Sequence, residues 1–356
     1  MGASIAIVSG KGGSGKTFIA AELASLIAAR IPVTLMDADT GTGGLSYYLG
    51  LKYVRNITEG FTEYALSRAG AQPFRERLRN VSDLAQPVYN QHTSNSFRFF
   101  PIGEHRLLTR ALGVQSVTPD ELAGLLQSAV RELADSSEFL IVDCRGGIDI
   151  DSLAVCRSVD DIIMAVEADP TSFQASQHLV DVLADHDMAH KLRGFIVNKT
   201  VDDPASVAST TGVALRTRFL GAIPFDIDSA RSFIVSELPY PESIFAIHLR
   251  DAISRAYPKL IGPPLESQVW KASDYNSFNI YAPESTRAGL LLSLLVLLAG
   301  LTFMLTGLWG MPMGHDSYLA AIGTLTVIGI LAASEPFRLL LGRMFSPYRG
   351  IRGRAR

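Results

Sequence analysis

Ser9-Gly10-Lys11-Gly12-Gly13-Ser14-Gly15-Lys16-Thr17 stands between a short apolar run, Ile5–Val8, and a helical pattern over Phe18–Ala29. From Gly10 to Thr17 it fits the phosphate-loop spacing G-x-x-x-x-G-K-[ST], in the strand–loop–helix setting that this spacing requires. Glycines let main-chain N–H groups wrap a phosphate, and the start of the following helix adds a favourable dipole. Gly10, Lys11, Gly12, Gly13, Ser14, Gly15, Lys16 and Thr17 are therefore the candidate nucleotide cradle. Lys16 is expected on the β- and γ-phosphates, and the Thr17 hydroxyl on Mg²⁺. The apolar start reads as a buried strand rather than a secretory leader, because no basic segment precedes a long apolar one.

Outward from the loop, Val33–Met36 is an apolar run ending in Asp37-Ala38-Asp39, and Phe139–Val142 is another ending in Asp143. Carboxylates at the ends of parallel strands face the ligand crevice, so these acids are candidates for the nucleotide site. Asp143 is placed to hold the Mg²⁺ shell. Two glycines in Cys144-Arg145-Gly146-Gly147 leave the backbone free to approach the γ-phosphate, while Arg145 is read first as a solvated loop residue. A further strand, Gly194–Lys199, carries Asn198 near its end, whose amide offers a donor and an acceptor. Strands are expected near 4–9, 33–37, 98–102, 139–143, 162–166, 194–198 and 219–223, with helices between. That order predicts a doubly wound, mainly parallel α/β domain.

Lys11, directly after the first glycine, makes the loop resemble that of the MinD/ParA-like, deviant Walker A (signature-lysine) ATPases. The resemblance implies ATP and Mg²⁺ as cofactors and slow, partner-stimulated hydrolysis of ATP. It also implies that Lys11 crosses a dimer interface to the partner's nucleotide, giving an ATP-sandwich homodimer. Asp37 and Asp39 resemble the family's first switch segment; by that likeness Asp39 orients the attacking water and Asp37 supports Mg²⁺ through water. Lys11, Lys16 and Asp39 are thus the implied catalytic residues, and Thr17, Asp37 and Asp143 the implied metal residues. In the family, an Asn at the place of Asn198 reads the adenine edge. Phe219–Asp226 resembles the late strand and turn, and Pro241–Ile247 the last helix. The likeness covers residues 1–256 and is loose across 50–100; Cys144–Gly147 departs from the usual Asp-x-Pro-x-Gly pattern.

The carboxy-terminal quarter has a different composition. Residues 257–287, with Pro258, Pro263, Pro264 and Pro283, read as a linker. Residues 288–309 carry no charge, and at 1.5 Å per residue they rise about 33 Å, the thickness of a hydrocarbon core. Residues 310–316 are rich in helix breakers, and the uncharged stretch 317–334 is expected to span a second time. Six arginines come after it, at 338, 343, 349, 352, 354 and 356, whereas the turn has none, so both termini are expected in the cytoplasm. The expectation is a multi-pass inner-membrane protein ending in a cationic tail, 335–356.

Charge narrows the partners. The chain is −3 overall and its tail +5, which leaves −8 on residues 1–334. So acidic a body is a poor nucleic-acid binder, since that role neutralises phosphates with Lys and Arg. Only two cysteines occur, Cys144 and Cys156, too few for a disulfide framework. His186 and His190 stand four apart on an expected helix; a polar helix face is favoured over metal ligation. The expected function is a membrane-anchored ATP-dependent switch that organises or activates an unidentified membrane machinery. The alternatives are an ATP-binding scaffold with little turnover, a tyrosine-kinase-like protein and a DNA-partitioning ATPase.

Overall fold

The computed structural model describes residues 3–69, 80–93, 95–104, 106–107, 110, 117–201 and 215–262. The chain divides into two units, Met1–Glu266 and Ser267–Arg356, and all described residues lie in the first. The expected spans at 288–309 and 317–334, the turn between them, the tail, and residues 263–287 of the linker lie outside the described residues. Among the described residues, no helix is long and apolar enough to cross a membrane.

Among the described residues, eight strands form one sheet: β1 (Ala3–Val8), β2 (Val33–Asp37), β3 (Gln86–Tyr89), β4 (Ser96–Phe100), β5 (Phe139–Asp143), β6 (Asp161–Glu167), β7 (Leu192–Thr200) and β8 (Phe219–Pro224). Their order is β3-β4-β2-β5-β1-β6-β7-β8, and every pair is parallel except β3 with β4. The chain winds to one side of β1 as far as β5 and then crosses to β6 on the other, so the end of β1 is a topological switch point. The doubly wound, mainly parallel sheet agrees with the sequence. Strand β3 is an addition to the expected set: Gln-Pro-Val-Tyr gives no alternating signal, and Pro87 is tolerated there because the strand is an edge.

Helices cover both faces. Ile5, Ile7, Leu35, Ile141 and Ile163 pack under α1 (Lys16–Ala28), α2 (Gly44–Gly50) and the late helices. Ala6, Val8, Met36, Val142 and Met164 meet α3 (Phe61–Arg68), α4 (Val81–Leu84), α5 (Pro119–Asp135), α6 (Ile150–Ser158) and α7 (Pro170–Asp185) on the other face. Burial on both faces explains why the central strands are nearly continuous apolar runs, with Ser4 in β1 and Thr34 in β2 as buried exceptions. Helix α1 is buried nearly all round and begins at Lys16, two residues earlier than the sequence pattern suggests.

Two expectations about helices are corrected. His186 and His190 do not share a helix: α7 ends at Asp185, Asp187 takes a left-handed φ of 58°, and His190 lies in a separate 3₁₀ turn, Ala189–Lys191. The last helices are α8 (Ile227–Ile234), α9 (Ile244–Ala256) and α10 (Pro258–Ile261). Helix α9 thus starts three residues after Pro241, where Ser243 caps it by accepting from the Ala246 N–H. Residues 257–262, the start of the stretch read as a linker, pack on the domain. The Tyr257 hydroxyl donates to Asp161 Oδ2 at 2.8 Å, its ring meets the edge of Phe139, and Ile261 is buried.

Candidate nucleotide site

The loop after β1 turns through two left-handed glycines, Gly13 (φ 88°) and Gly15 (φ 85°). Gly15 is the N-cap of α1 and supplies no side-chain acceptor, so no side chain caps the first turn of α1. Such a helix start is suited to an anion. A side chain at Gly15 would be strained by its φ and would also displace Asn198, whose Nδ2 stands 2.2 Å from the would-be Cβ. Gly10 is equally confined, with the backbone carbonyl carbon of Ala175 2.3 Å from its would-be Cβ. Lys16 is buried at the head of α1, close enough to Asp143 to oppose part of that acid's pKa rise.

The acids gather at the ends of β2 and β5, where Asp37 and Asp143 are register neighbours. Asp143 is 1% exposed; burial pushes its carboxyl up to about 7, against Lys16 and a hydrogen bond with Thr17. Its Oδ1 is buried without a hydrogen-bond partner. A buried orphan acceptor beside a threonine hydroxyl and a lysine fits a cation-bound role, so Thr17 and Asp143 suit Mg²⁺. Asp37 is differently employed. One oxygen accepts from the Asp39 N–H (3.0 Å), the other from the N–H and hydroxyl of Ser46 (both 2.7 Å), and burial raises its carboxyl to about 6. It pins the start of α2 to the site, and both of its oxygens are engaged by these donors.

Asp39 lies in the turn after β2. Its Oδ1 accepts from the Gly41 and Thr42 N–H groups, each at 3.0 Å, and its Oδ2 from the Thr42 hydroxyl at 2.6 Å. In this conformation the carboxylate organises its own loop. Thr40 donates to Asp151 Oδ2 at 2.5 Å, tying that loop to α6. The segment after Asp143 runs against the phosphate loop itself: a Cβ on Gly146 would lie 2.8 Å from Gly12 Cα, and the Gly147 N–H donates to Ser9 O. Arg145 is half exposed, 3.7 Å from Asp149, and leans over Gly41 rather than reaching into the loop.

Lys11 points out of its own phosphate loop. Its Nζ donates to Asp169 Oδ2 at 2.9 Å and to the Thr171 hydroxyl at 3.0 Å, with both ion-pair side chains about one-third exposed (34% and 31%). Asp169 is also the N-cap of α7, accepting from the Thr171 and Ser172 N–H groups. The Thr171 hydroxyl, which donates to Asp169 Oδ1, and then the Lys11 ammonium hold its carboxyl well below the usual range.

Asn198 is buried and donates to Ser14 O at 2.9 Å. It borders a cleft of about 380 Å³ between the phosphate loop and α8, a volume in the range of small-molecule sites. Gly13, Gly15, Lys16, Thr17 and Lys199 form its loop side, and Phe18, Phe225, Phe233 and Phe245 its aromatic side. Among the described residues the one carboxylate in the lining, Asp226, caps α8 and accepts from Asp228 N–H, the Ser229 hydroxyl and Phe245 N–H. The structure therefore brings Gly10–Thr17, Asp37, Asp39, Asp143 and Asn198 to one end of the sheet. Asp169, Thr171, Ser46 and Lys199 join them without having been expected from sequence. The string Asp169-Pro170-Thr171-Ser172 carries a readable helix-start signal, but nothing local announces Lys199.

Comparison with known proteins agrees with the fold. A family model described as the CobQ/CobB/MinD/ParA nucleotide binding domain matches residues 5–238. The antiactivator FleN of Pseudomonas aeruginosa is 28% identical over 265 residues, covering 72% of this chain and 80% of FleN. The cell-division ATPase MinD of Pyrococcus furiosus superposes with a TM-score of 0.57 at 21% identity, covering 73% of this chain and all of that one. MinD of Pyrococcus horikoshii, solved with Mg-ADP, gives the same TM-score over 76% of this chain.

Proposed function

The chain belongs to the CobQ/CobB/MinD/ParA nucleotide-binding family, and on that premise we propose that it is a membrane-anchored ATPase working as an ATP-dependent dimer switch. The observation that carries the reading is the placement of Lys11. It sits beside the phosphate loop, partly exposed and in an ion pair on the rim, not turned into its own cradle. From there it is free to exchange Asp169 for the phosphate of a second copy. The family resemblance to MinD and ParA ATPases supports ATP and Mg²⁺ as ligands and a regulatory or positioning role.

In this reading the main-chain N–H groups of Gly12–Thr17 cradle the phosphates, and Lys16 neutralises charge on the β- and γ-oxygens. Thr17 and Asp143 would hold Mg²⁺, with Asp37 behind them; the ion would supply neutralising charge to the phosphates. Asp39, released from its loop bonds, orients the attacking water, and Lys11 of each subunit reaches across to the other's nucleotide. The aromatic cleft beside Asn198 receives the base. Anchored through residues 288–334 with both termini in the cytoplasm, such a switch would act in the membrane plane on a membrane-bound machinery.

Full-length protein in detergent should hydrolyse ATP slowly, and Lys11→Ala and Asp39→Ala should each lose turnover. An ATP-dependent dimer should persist in Asp39→Ala and vanish in Lys11→Ala. A dimer indifferent to both ATP and Lys11 would refute the switch. One observation favours a second reading, an ATP-binding scaffold with little turnover: both Asp39 oxygens are already occupied by loop donors. Tight ATP binding without hydrolysis, even after membrane extract is added, would select it.

A further inference from the structure

Lys199 occupies an irregular point of β7. Its φ is 58°, a left-handed value that a lysine seldom adopts, and the β7–β8 register shifts between Asn198 and Thr200. In a regular strand Asn198 and Lys199 would project to opposite faces of the sheet. The bulge cancels that alternation and brings both side chains to the phosphate loop. Asn198 Nδ2 donates to Ser14 O (2.9 Å), and Lys199 Nζ donates to Gly13 O (2.6 Å) while pairing with Glu167 Oε1 (3.2 Å). Two consecutive carbonyls of the loop are therefore held by two consecutive side chains.

A trans peptide plane points its C=O and the adjoining N–H in opposite directions. Fixing Gly13 O and Ser14 O outward consequently fixes the N–H groups of Ser14 and Gly15 on the opposite side of the loop. We infer that Lys199 is a positioning residue of the nucleotide site. It aims the Ser14 N–H into the phosphate cradle, and the strained bulge at 199 exists to deliver its ammonium to Gly13 O. This rests on the nucleotide-binding reading above and adds to it a residue outside the loop that sets the loop's donor geometry. The ligand chemistry it serves is a pyrophosphate-like group, shared by ADP and ATP, rather than the base.

The test measures binding of ADP and inorganic pyrophosphate to full-length protein by calorimetry, with Lys199→Met, Lys199→Arg and Lys199→Gly. Losing a charged hydrogen bond should weaken ADP by on the order of tenfold in Lys199→Met. Pyrophosphate should weaken by the same factor, and Lys199→Arg should restore most of both. Lys199→Gly relieves the left-handed φ without restoring the donor, so it should fold and bind as weakly as Lys199→Met. Wild-type ADP affinity in the Met or Gly variant would overturn the inference. So would a loss confined to ADP with pyrophosphate unaffected, which would move Lys199 to the base. Failure of the wild type to bind either ligand would instead overturn the nucleotide reading, and this inference with it.

Discussion

Replacing Asp169 with Asn should tighten the ATP-dependent dimer. In the single subunit Lys11 is held by the Asp169 carboxylate at 2.9 Å, and in the proposed dimer it would leave that partner to reach the other subunit. The pair is one-third exposed, so solvent screening limits its worth to about 0.5–1 kcal/mol. Two such pairs break per dimer, so their combined cost is about 1–2 kcal/mol, a factor of roughly 5–30 in the dimer dissociation constant. Asparagine keeps the oxygen that accepts from the Thr171 and Ser172 N–H groups, so the start of α7 stays capped. Sedimentation of full-length protein with ATP, in an Asp39→Ala background that preserves the nucleotide, reads the constant directly. The gain should shrink in high salt, where the pair is screened in the wild type too. It should be absent from Lys11→Ala. An unchanged or weaker dimer in Asp169→Asn would show that the pair does not compete with association.

Two further predictions concern stability. Gly15→Ala forces a Cβ onto a φ of 85° and 2.2 Å from Asn198 Nδ2, so unfolding should become easier by about 2–3 kcal/mol, measured by urea titration. Gly12→Ala, where a Cβ meets nothing within 4 Å, should stay within about 0.5 kcal/mol of the wild type. The second is a pH dependence. Burial raises Asp143 to about 7 and Asp37 to about 6, so the folded, metal-free protein binds protons that the unfolded chain releases near pH 4. Stability in EDTA should therefore fall as pH rises from about 4 to about 7. Burial raises Glu22 and Glu63 as well, so Asp143→Asn should lessen that slope without abolishing it; a wild-type profile that climbs through this window would refute the assignment.

Much of the site is legible in the sequence because it is local. A phosphate loop is eight consecutive residues; Asp143 ends an unbroken apolar run and Asp37 a run interrupted only by Thr34, the pattern expected of a parallel strand covered on both faces. The residues that escape such reading are set by backbone irregularity or by distant pairing. Lys199 belongs, by strand alternation, to the face opposite Asn198, and only a bulge reverses that. Asp169 can be read as a helix cap, but its second partner lies 158 positions earlier in the chain. His186 and His190 look like one helix face because nothing in the spacing reveals that α7 stops at Asp185. Strand β3 is held in place by its neighbour β4, not by its own four residues.

The route by which the chain leaves the domain has its own consequence. Tyr257 is fastened to Asp161 and Phe139, the first residues of β6 and β5, and Gly262 lies beside Arg30, just past the far end of α1. All of these stand at the pole from which the parallel strands set out, while the phosphate loop and its acids crown the pole at which they finish. The last described residues of the chain and the candidate nucleotide site thus stand at opposite poles of the domain. In the membrane-anchored reading proposed above, lengthening, shortening or recomposing the chain beyond residue 262 would alter the reach of the domain from the pole opposite its nucleotide site. Leash and engine could then diverge independently.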